Sequence, residues 1–297
     1  MTARSLATAP APVEIRRLHL PEEFRQVEEV QQVAWGLGTE PAVPAALQRA
    51  FQDNGGLVLG AFEGPSLIGF TLGFLGREGS ALFHYSHMTA VRPERQDHHV
   101  GFSLKLAQRA EVLKTDLSEI RWTFDPLQSR NAWFNVRRLG GTPDRYHPRY
   151  YGEMRDAINA GLETDRIRLV WSLDSPRVRE RVRGIYPSPA EDESRCERSP
   201  AWVTTKRGND GLRRPKGVNV AEAPEVRIEV PYDLGRLRER DPSLLRDWRA
   251  STRSALETAF AQGYRVDDFV VTQSAGERRS FYLLKRSAGM PERTDAR

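Results

Sequence analysis

Apolar and polar residues alternate over Val13-Glu14-Ile15-Arg16-Arg17-Leu18, the period-two pattern of a half-buried strand. The period then changes: after Pro21-Glu22-Glu23, Phe24, Val27, Val30 and Ala34 recur at helical spacing and predict a helix over Leu20 to Trp35. Pro44 to Gln52 predicts a second, short helix. Gly56 to Phe62 and Leu67 to Leu75 are apolar runs joined by Glu63-Gly64-Pro65-Ser66, turn residues that predict a hairpin. Ala81 to Val91 is a third consecutive strand. Further on, Phe102, Leu106, Ala110 and Leu113 are spaced by four, four and three, which predicts a helix with that stripe as its apolar face. Ile120 to Phe124 reads as a strand ended by Asp125-Pro126. Ser129 to Leu139 reads as a helix, with Ser129 or Asn131 near its cap and Gly140-Gly141 beyond its end. The predicted order is β-α-α-β-β-β-α-β-α.

In the second half, Arg166 to Leu173 predicts a strand and Pro176 to Arg183 a helix. Its alternating arginines scatter around the helix axis and read as a solvated surface. Pro187 to Gly217 gathers proline, glycine and charge, and is expected to be a long, partly ordered connection with a short strand at Ala201 to Thr205. Order returns with a strand at Val226 to Pro231. A helix over Ser243 to Phe260 carries Leu245, Trp248, Leu256 and Phe260 and is ended by Gly263; strands follow at Val266 to Val271 and Ser280 to Leu284. This β-α-β-β unit is either a decayed copy of the first half's core or a common αβ unit, since element order alone carries little fold specificity. The expected organisation is a first domain over 13–158, a connecting strand, helix and polar linker over 159–220, a C-terminal domain over 221–286 and a tail over 287–297. The C-terminal unit is expected to pack against the first or to supply the surface of a homodimer.

Composition narrows the chemistry. Of 297 residues, 39% are hydrophobic and 29% charged, as in a soluble globular chain, and 45 Lys+Arg against 40 Asp+Glu leave a net charge of +5. So modest an excess suits a small anionic ligand, and no RNP-like, zinc-finger or heptad pattern points to nucleic acid. No apolar run reaches membrane-spanning length, and Met1 to Pro12 lacks the apolar core of a secretory signal. Cys196, the only cysteine, allows no intrachain disulfide and no thiolate zinc site; it lies in a charged, loop-like stretch. A cytoplasmic protein without a metal is expected.

The stretch from Val91 to Gly101 carries the sharpest chemical signal. A strand, a polar turn and a helix start follow one another, so unpaired N–H groups at the positive end of a helix dipole can receive a pyrophosphate. Gln96-Asp97-His98-His99-Val100-Gly101 resembles the acyl-CoA-binding motif Q/R-x-x-G-x-G/A of the GNAT superfamily of N-acyltransferases, with His99 where the first glycine is expected. The resemblance covers about Val13 to Gly152. It implies an α/β (α+β) fold: a mixed sheet flanked by helices. A narrower likeness lies in Ser86-His87-Met88, Trp122 to Leu127, Ser129-Arg130-Asn131-Ala132, Asn135, Tyr150-Tyr151-Gly152, Thr164-Asp165-Arg166, Asp247-Trp248-Arg249 and Gly263-Tyr264. These segments resemble a GNAT branch associated with N-succinylamino-acid racemases, and imply transfer of a succinyl group from succinyl-CoA to an amino-acid amine.

Acyl transfer from a thioester to an amine requires a held pyrophosphate, a polarised carbonyl, a deprotonated amine and a leaving thiolate. The resemblance assigns the pyrophosphate to the N–H groups of Asp97 to Gly101. It assigns the carbonyl to a main-chain donor among Met88, Thr89 and Ala90, next to Val91, in a splayed strand. His99 can replace glycine because histidine tolerates left-handed backbone better than most residues. Asn131 matches a contact beside the pantetheine. His84 and His87 lie three apart on one strand, on opposite faces, so they cannot share a metal. His87 directly precedes the expected splay and is the candidate base. Asp125 is a second candidate, although an Asp before Pro is also an everyday turn residue. Tyr146 is the candidate acid, with Tyr150 and Tyr151 competing. A succinyl carboxylate calls for an arginine; Arg121, Arg130, Arg145 and Arg168 qualify, and Arg130 is nominated for its place beside Asn131. The expected partner is a small-molecule amine, with a protein or peptide N-acetyltransferase and a catalytically silent acyl-CoA-binding protein as alternatives.

Overall fold

A computed structural model describes residues 12–96, 98–154, 156, 161–274 and 276–286. Asp97 and the expected tail lie outside them. The chain divides into two compact units: residues 1–120 with 155–158, and residues 121–154 with 159–297. Each combines mostly antiparallel strands with helices, a mixed α/β architecture.

In the first unit, β1 (Val13–Arg17), α1 (Pro21–Trp35), α2 (Ala45–Asp53), β2 (Leu57–Glu63), β3 (Ser66–Glu78), β4 (Ala81–Val91) and α3 (Val100–Val112) follow in chain order. Strands β1 to β4 are neighbours in that order and every pairing is antiparallel. Glu23 starts α1: its carboxylate accepts the His19 and Leu20 N–H groups at 2.6 and 3.0 Å and pairs with Arg16. Phe24, Val27 and Val30 of α1 then close over Val58, Phe70, Leu72 and Ala90 of the sheet, forming the core on that face. Helix α3 packs on the other face. Its buried residues are Val100, Leu104, Lys105, Gln108 and Val112. This corrects the expected stripe, of which Ala110 and Leu113 are exposed. The inward face was misread because two of its members are polar.

β5 (Glu119–Phe124) straddles the boundary between the units. The second unit continues with α4 (Ser129–Ala132), which runs directly into a π-helical turn over Trp133–Arg138. β6 (Thr142–His147), β7 (Arg166–Ser172), α5 (Pro176–Val182) and α6 (Pro189–Arg198) follow. After a hairpin of β8 (Val203–Arg207) and β9 (Arg213–Val218) come β10 (Glu225–Val230), α7 (Leu234–Arg240), α8 (Pro242–Ala261), β11 (Tyr264–Ser274) and β12 (Glu277–Arg286). The order β10-β12-β11 puts the last strand in the middle. Helix α8 buries Leu244, Leu245, Trp248, Arg249, Thr252, Ala255, Leu256 and Ala259, a stripe at helical spacing.

Two expectations about organisation change. The division falls at Ile120/Arg121 instead of 158, because long-range polar ties bind 121–154 to the C-terminal segment. Ser129 meets Ser280 at 2.7 Å, Arg137 meets Asp268 at 2.6 Å, and Tyr282 donates to the Pro126 carbonyl at 2.8 Å. The expected linker over Pro187 to Gly217 is largely regular structure. Ser188 and Glu191 form a reciprocal cap on α6, Cys196 and Trp202 are buried, and Arg195 pairs with Glu225 and Asp267.

Candidate active site

The candidates divide between the units. On β4, the register against β3 runs Leu72↔Met88 and then Gly73↔Ser86, so His87 is an extra, bulged residue. The bulge resets the alternation. Before it, His84 and Ser86 face Gln108 and Lys105 of α3. At it, His87 meets the rings of Phe74 and Tyr85 at 6.0 and 6.3 Å, while Met88 joins the core beneath α1. His87 and Met88 therefore point to one face in succession. The Met88 carbonyl accepts from the Thr71 hydroxyl at 3.2 Å, and Thr71 and Thr89 hydroxyls meet at 2.8 Å. Ala90 and Val91 are buried at the end of the strand. His87 stays exposed, yet desolvation against its aromatic neighbours lowers its pKa, which keeps the imidazole neutral near pH 7.

After β4 the chain turns through a single 3₁₀ turn, Pro93–Arg95. Arg95 is fixed by both oxygens of Glu63, and the Gln96 amide donates back to the Val91 carbonyl at 3.3 Å. His98 and His99 are exposed. His99 has φ 59° and ψ 8°, left-handed backbone at the N-cap of α3, and its side chain makes no cap hydrogen bond. A Cβ built on Gly101 would meet only Val91 Cγ2, at 3.8 Å, so the space over the first helical turn is open. Such a start presents main-chain N–H groups and the positive end of the dipole, which favour an anionic group. The N-termini of α7 and α8 differ, because Asp233 and Asp241 cap them at 2.9 and 3.2 Å and place a carboxylate there. The C-terminal unit has no equivalent opening at those two helices.

In the second unit, Asp125 is buried, and Arg249 clasps it with two hydrogen bonds of 2.8 and 2.7 Å. Its Oδ1 also accepts the Leu127 N–H at 2.9 Å. Both oxygens are thus committed to holding the β5 end. Tyr146 donates its hydroxyl to Asp165 at 2.5 Å, and burial together with that bond raises the phenol's pKa well above its ordinary value. Burial opposes ionisation of Asp165, but bonds from Arg253, Tyr146 and the Arg149 N–H outweigh it and lower its pKa. A phenol held in this way is a reluctant acid. Arg130 and Asn131 are exposed in the first turn of α4, whose N-cap is Gln128 and not Ser129 or Asn131.

Sequence reasoning passed over a buried tetrad. Lys105 Nζ donates to Ser86 Oγ at 2.8 Å and to Gln108 Oε1 at 3.0 Å, and the Gln108 amide meets His84 Nε2 at 3.2 Å. Burial pulls the lysine pKa to about 7; burial and then the Lys105 charge pull His84 to about 4. Gly73 makes room for the ring: a Cβ there would lie 2.2 Å from His84 Nε2. The signal available in the sequence was the pair Lys105 and Gln108, three apart and flanked by apolar residues. Cys196 is buried, and desolvation raises its thiol to about 11, unsuited to a nucleophile. Among the described residues, no group of three or more His, Cys, Asp or Glu could hold a metal, and no helix is long and apolar enough to cross a membrane.

No protein-family model matches the chain, and no curated protein matches it. Solved structures similar to it include the ribosomal-protein-S18-alanine N-acetyltransferase of Escherichia coli, 14% identical over 55% of this chain and 96% of that one, with a TM-score of 0.43. An aminoglycoside 6'-acetyltransferase type Ii is 15% identical over 55% and 98%, TM-score 0.43. The NatC complex bound to Gag peptide and CoA matches at 17% identity over 54% and 98%, TM-score 0.43.

Proposed function

We propose that this chain is a CoA-dependent N-acyltransferase of the GNAT type. The observation that carries the reading is the left-handed His99 at the uncapped, open start of α3, directly after a strand bulged at His87. The bulge lies one residue before Met88 to Ala90, the stretch in which the splay was expected, and that stretch keeps regular register with β3. The N–H groups of His99 to Gly101 would hold the pyrophosphate, with the His98 N–H bonded to the Arg95 carbonyl and Gln96 closing the turn behind them. Main chain of Met88 to Ala90 would donate to the thioester oxygen. His87, neutral and exposed, would take the proton from the attacking ammonium. A C–N bond forms as the C–S bond breaks; the nitrogen gives its second proton to the departing sulfur, and CoA leaves as the free thiol.

Asp125 is not carried forward as a base, because Arg249 and the Leu127 N–H already occupy its oxygens. Tyr146 is not carried forward as the acid, because its proton is directed at Asp165. Asn131 keeps its role beside the pantetheine arm through the resemblance. Succinyl-CoA and an amino acid remain the favoured pair on the same ground, with a peptide acceptor as the second reading.

The test is release of free thiol from acetyl-, succinyl- and longer acyl-CoAs against amino acids of both hands and against peptides. Turnover with free amino acids supports the small-molecule reading; turnover with peptides alone favours the second; none with any donor contradicts both. A succinyl carboxylate needs a cation near the acyl pocket, since an unpaired buried charge costs several kcal/mol. Arg130→Met is expected to cut the succinyl-CoA rate at least tenfold more than the acetyl-CoA rate. Equal losses with the two donors would remove Arg130 from the acyl pocket.

A further inference from the structure

The side chains of Lys105, Ser86, Gln108 and His84 are all buried on the α3 face of the first unit, and at least three of them close a hydrogen-bonded ring at distances of 2.8 to 3.1 Å. Interior polar clusters of this kind commonly stabilise less than apolar residues of the same volume. What they add is direction, because their bonds are satisfied in one arrangement only. Here that arrangement includes the extra residue in β4. Ser86 is the residue before His87, and the side-chain alternation resets there. Were β4 to slide by one residue and absorb the bulge, Ser86 and His84 would rotate off the α3 face. Lys105 would then lose its bond to the Ser86 hydroxyl, and a hydrogen bond lost from a buried charged donor is costly. The network therefore selects the bulged register over the regular one. Gly73 acts in the same sense, since only a residue without a Cβ lets His84 lie across β3.

We propose that Lys105 is a positioning residue for acyl transfer: tied to Ser86 and Gln108, it pins the β4 bulge and so fixes the main chain of His87 to Thr89. The proposal rests on the acyltransferase reading for its effect on turnover, and on the hydrogen-bond geometry alone for its effect on the strand. The described hydrogen bonds of Lys105 Nζ go to Ser86 and Gln108. It acts through Ser86.

The experiment compares wild type with Lys105→Met and Ser86→Ala, using calorimetric titration with CoA, initial rates, and hydrogen–deuterium exchange read by mass spectrometry over residues 83–91. Met has nearly the volume of Lys and no charge to bury, so Lys105→Met is expected to melt no lower than wild type; loss of activity in it is then not loss of the fold. Expected for Lys105→Met are CoA affinity within threefold of wild type, kcat down roughly 10- to 100-fold, acyl-CoA KM nearly unchanged, and faster exchange over 83–91. Ser86→Ala should shift the same quantities in the same direction, by less. Wild-type kcat and wild-type exchange in a folded Lys105→Met would overturn the proposal. Failure of wild type itself to bind CoA would instead overturn the acyltransferase reading, and the exchange arm would still show whether Lys105 holds the bulge.

Discussion

Asp125→Ala is expected to destabilise the protein by about 3–5 kcal/mol, well beyond what an exposed carboxylate contributes. Arg249 is buried beneath it, and the two bonds of 2.8 and 2.7 Å are the guanidinium's described carboxylate contacts. Deleting the acid strands a cation in the interior, which is the costly way to break such a pair. The same substitution frees the Leu127 N–H and so loosens the turn that ends β5. Urea unfolding followed by tryptophan fluorescence measures the loss, since Trp122 and Trp248 lie in this unit. Removing both charges at once, Asp125→Leu with Arg249→Met, should recover most of it, because two apolar residues can replace a buried pair. If Asp125→Asn instead leaves stability intact and removes the acidic limb of the pH–rate profile, Asp125 is the base and His87 is not.

Stability should also climb with pH across the window set by Lys105. Its folded pKa, about 7, lies below the unfolded value near 10.5, so between those values the unfolded chain binds more protons than the folded one. Raising the pH through that interval therefore favours the fold. The penalty for a buried ammonium is complete below about pH 7 and gone above the unfolded pKa, a difference on the order of a few kcal/mol. His84 adds a second rise of the same sign between about pH 4 and the ordinary imidazole value, because its folded pKa is likewise lowered. Chemical denaturation from pH 6 to 10 checks the lysine window, and Lys105→Met should flatten it. A flat wild-type curve would mean that Lys105 keeps its charge throughout, paired more strongly than its contacts with Ser86 and Gln108 suggest.

Much of the first unit is legible in the sequence, for physical reasons that can be named. Its strands are apolar runs cut by turn residues such as Glu63-Gly64-Pro65-Ser66, and α1 opens on Pro21-Glu22-Glu23 with Glu23 in reach of two main-chain donors. At His99 the chain adopts the left-handed backbone that histidine tolerates better than most residues. The inward face of α3 was not legible. Helical spacing finds apolar stripes, and this helix turns Lys105 and Gln108 to the interior because Ser86 and His84 wait there on β4.

The roles of Asp125 and Tyr146 were hidden for a different reason. Their partners, Arg249 and Asp165, lie 124 and 19 residues away, and no local pattern marks which arginine or aspartate will arrive. Helix α6 was lost in a hydrophilic stretch, since only Asp192 and Cys196 of it are buried. Its Ser188 to Glu191 cap was written in the sequence and would have found its start.

The central claim is that the open start of α3 holds the pyrophosphate of an acyl-CoA. Calorimetric titration of CoA into wild type and Gly101→Asp tests it most directly, because a Cβ at this position meets only Val91 Cγ2 and the variant should fold. The carboxylate would stand where the anion binds, opposing it and competing for the same N–H groups. Binding to wild type with affinity at least tenfold weaker in a folded Gly101→Asp, about 1.4 kcal/mol or more, is the expected result. Equal CoA affinity in the two proteins, or none in wild type, would contradict the assignment of the cradle and the function built on it.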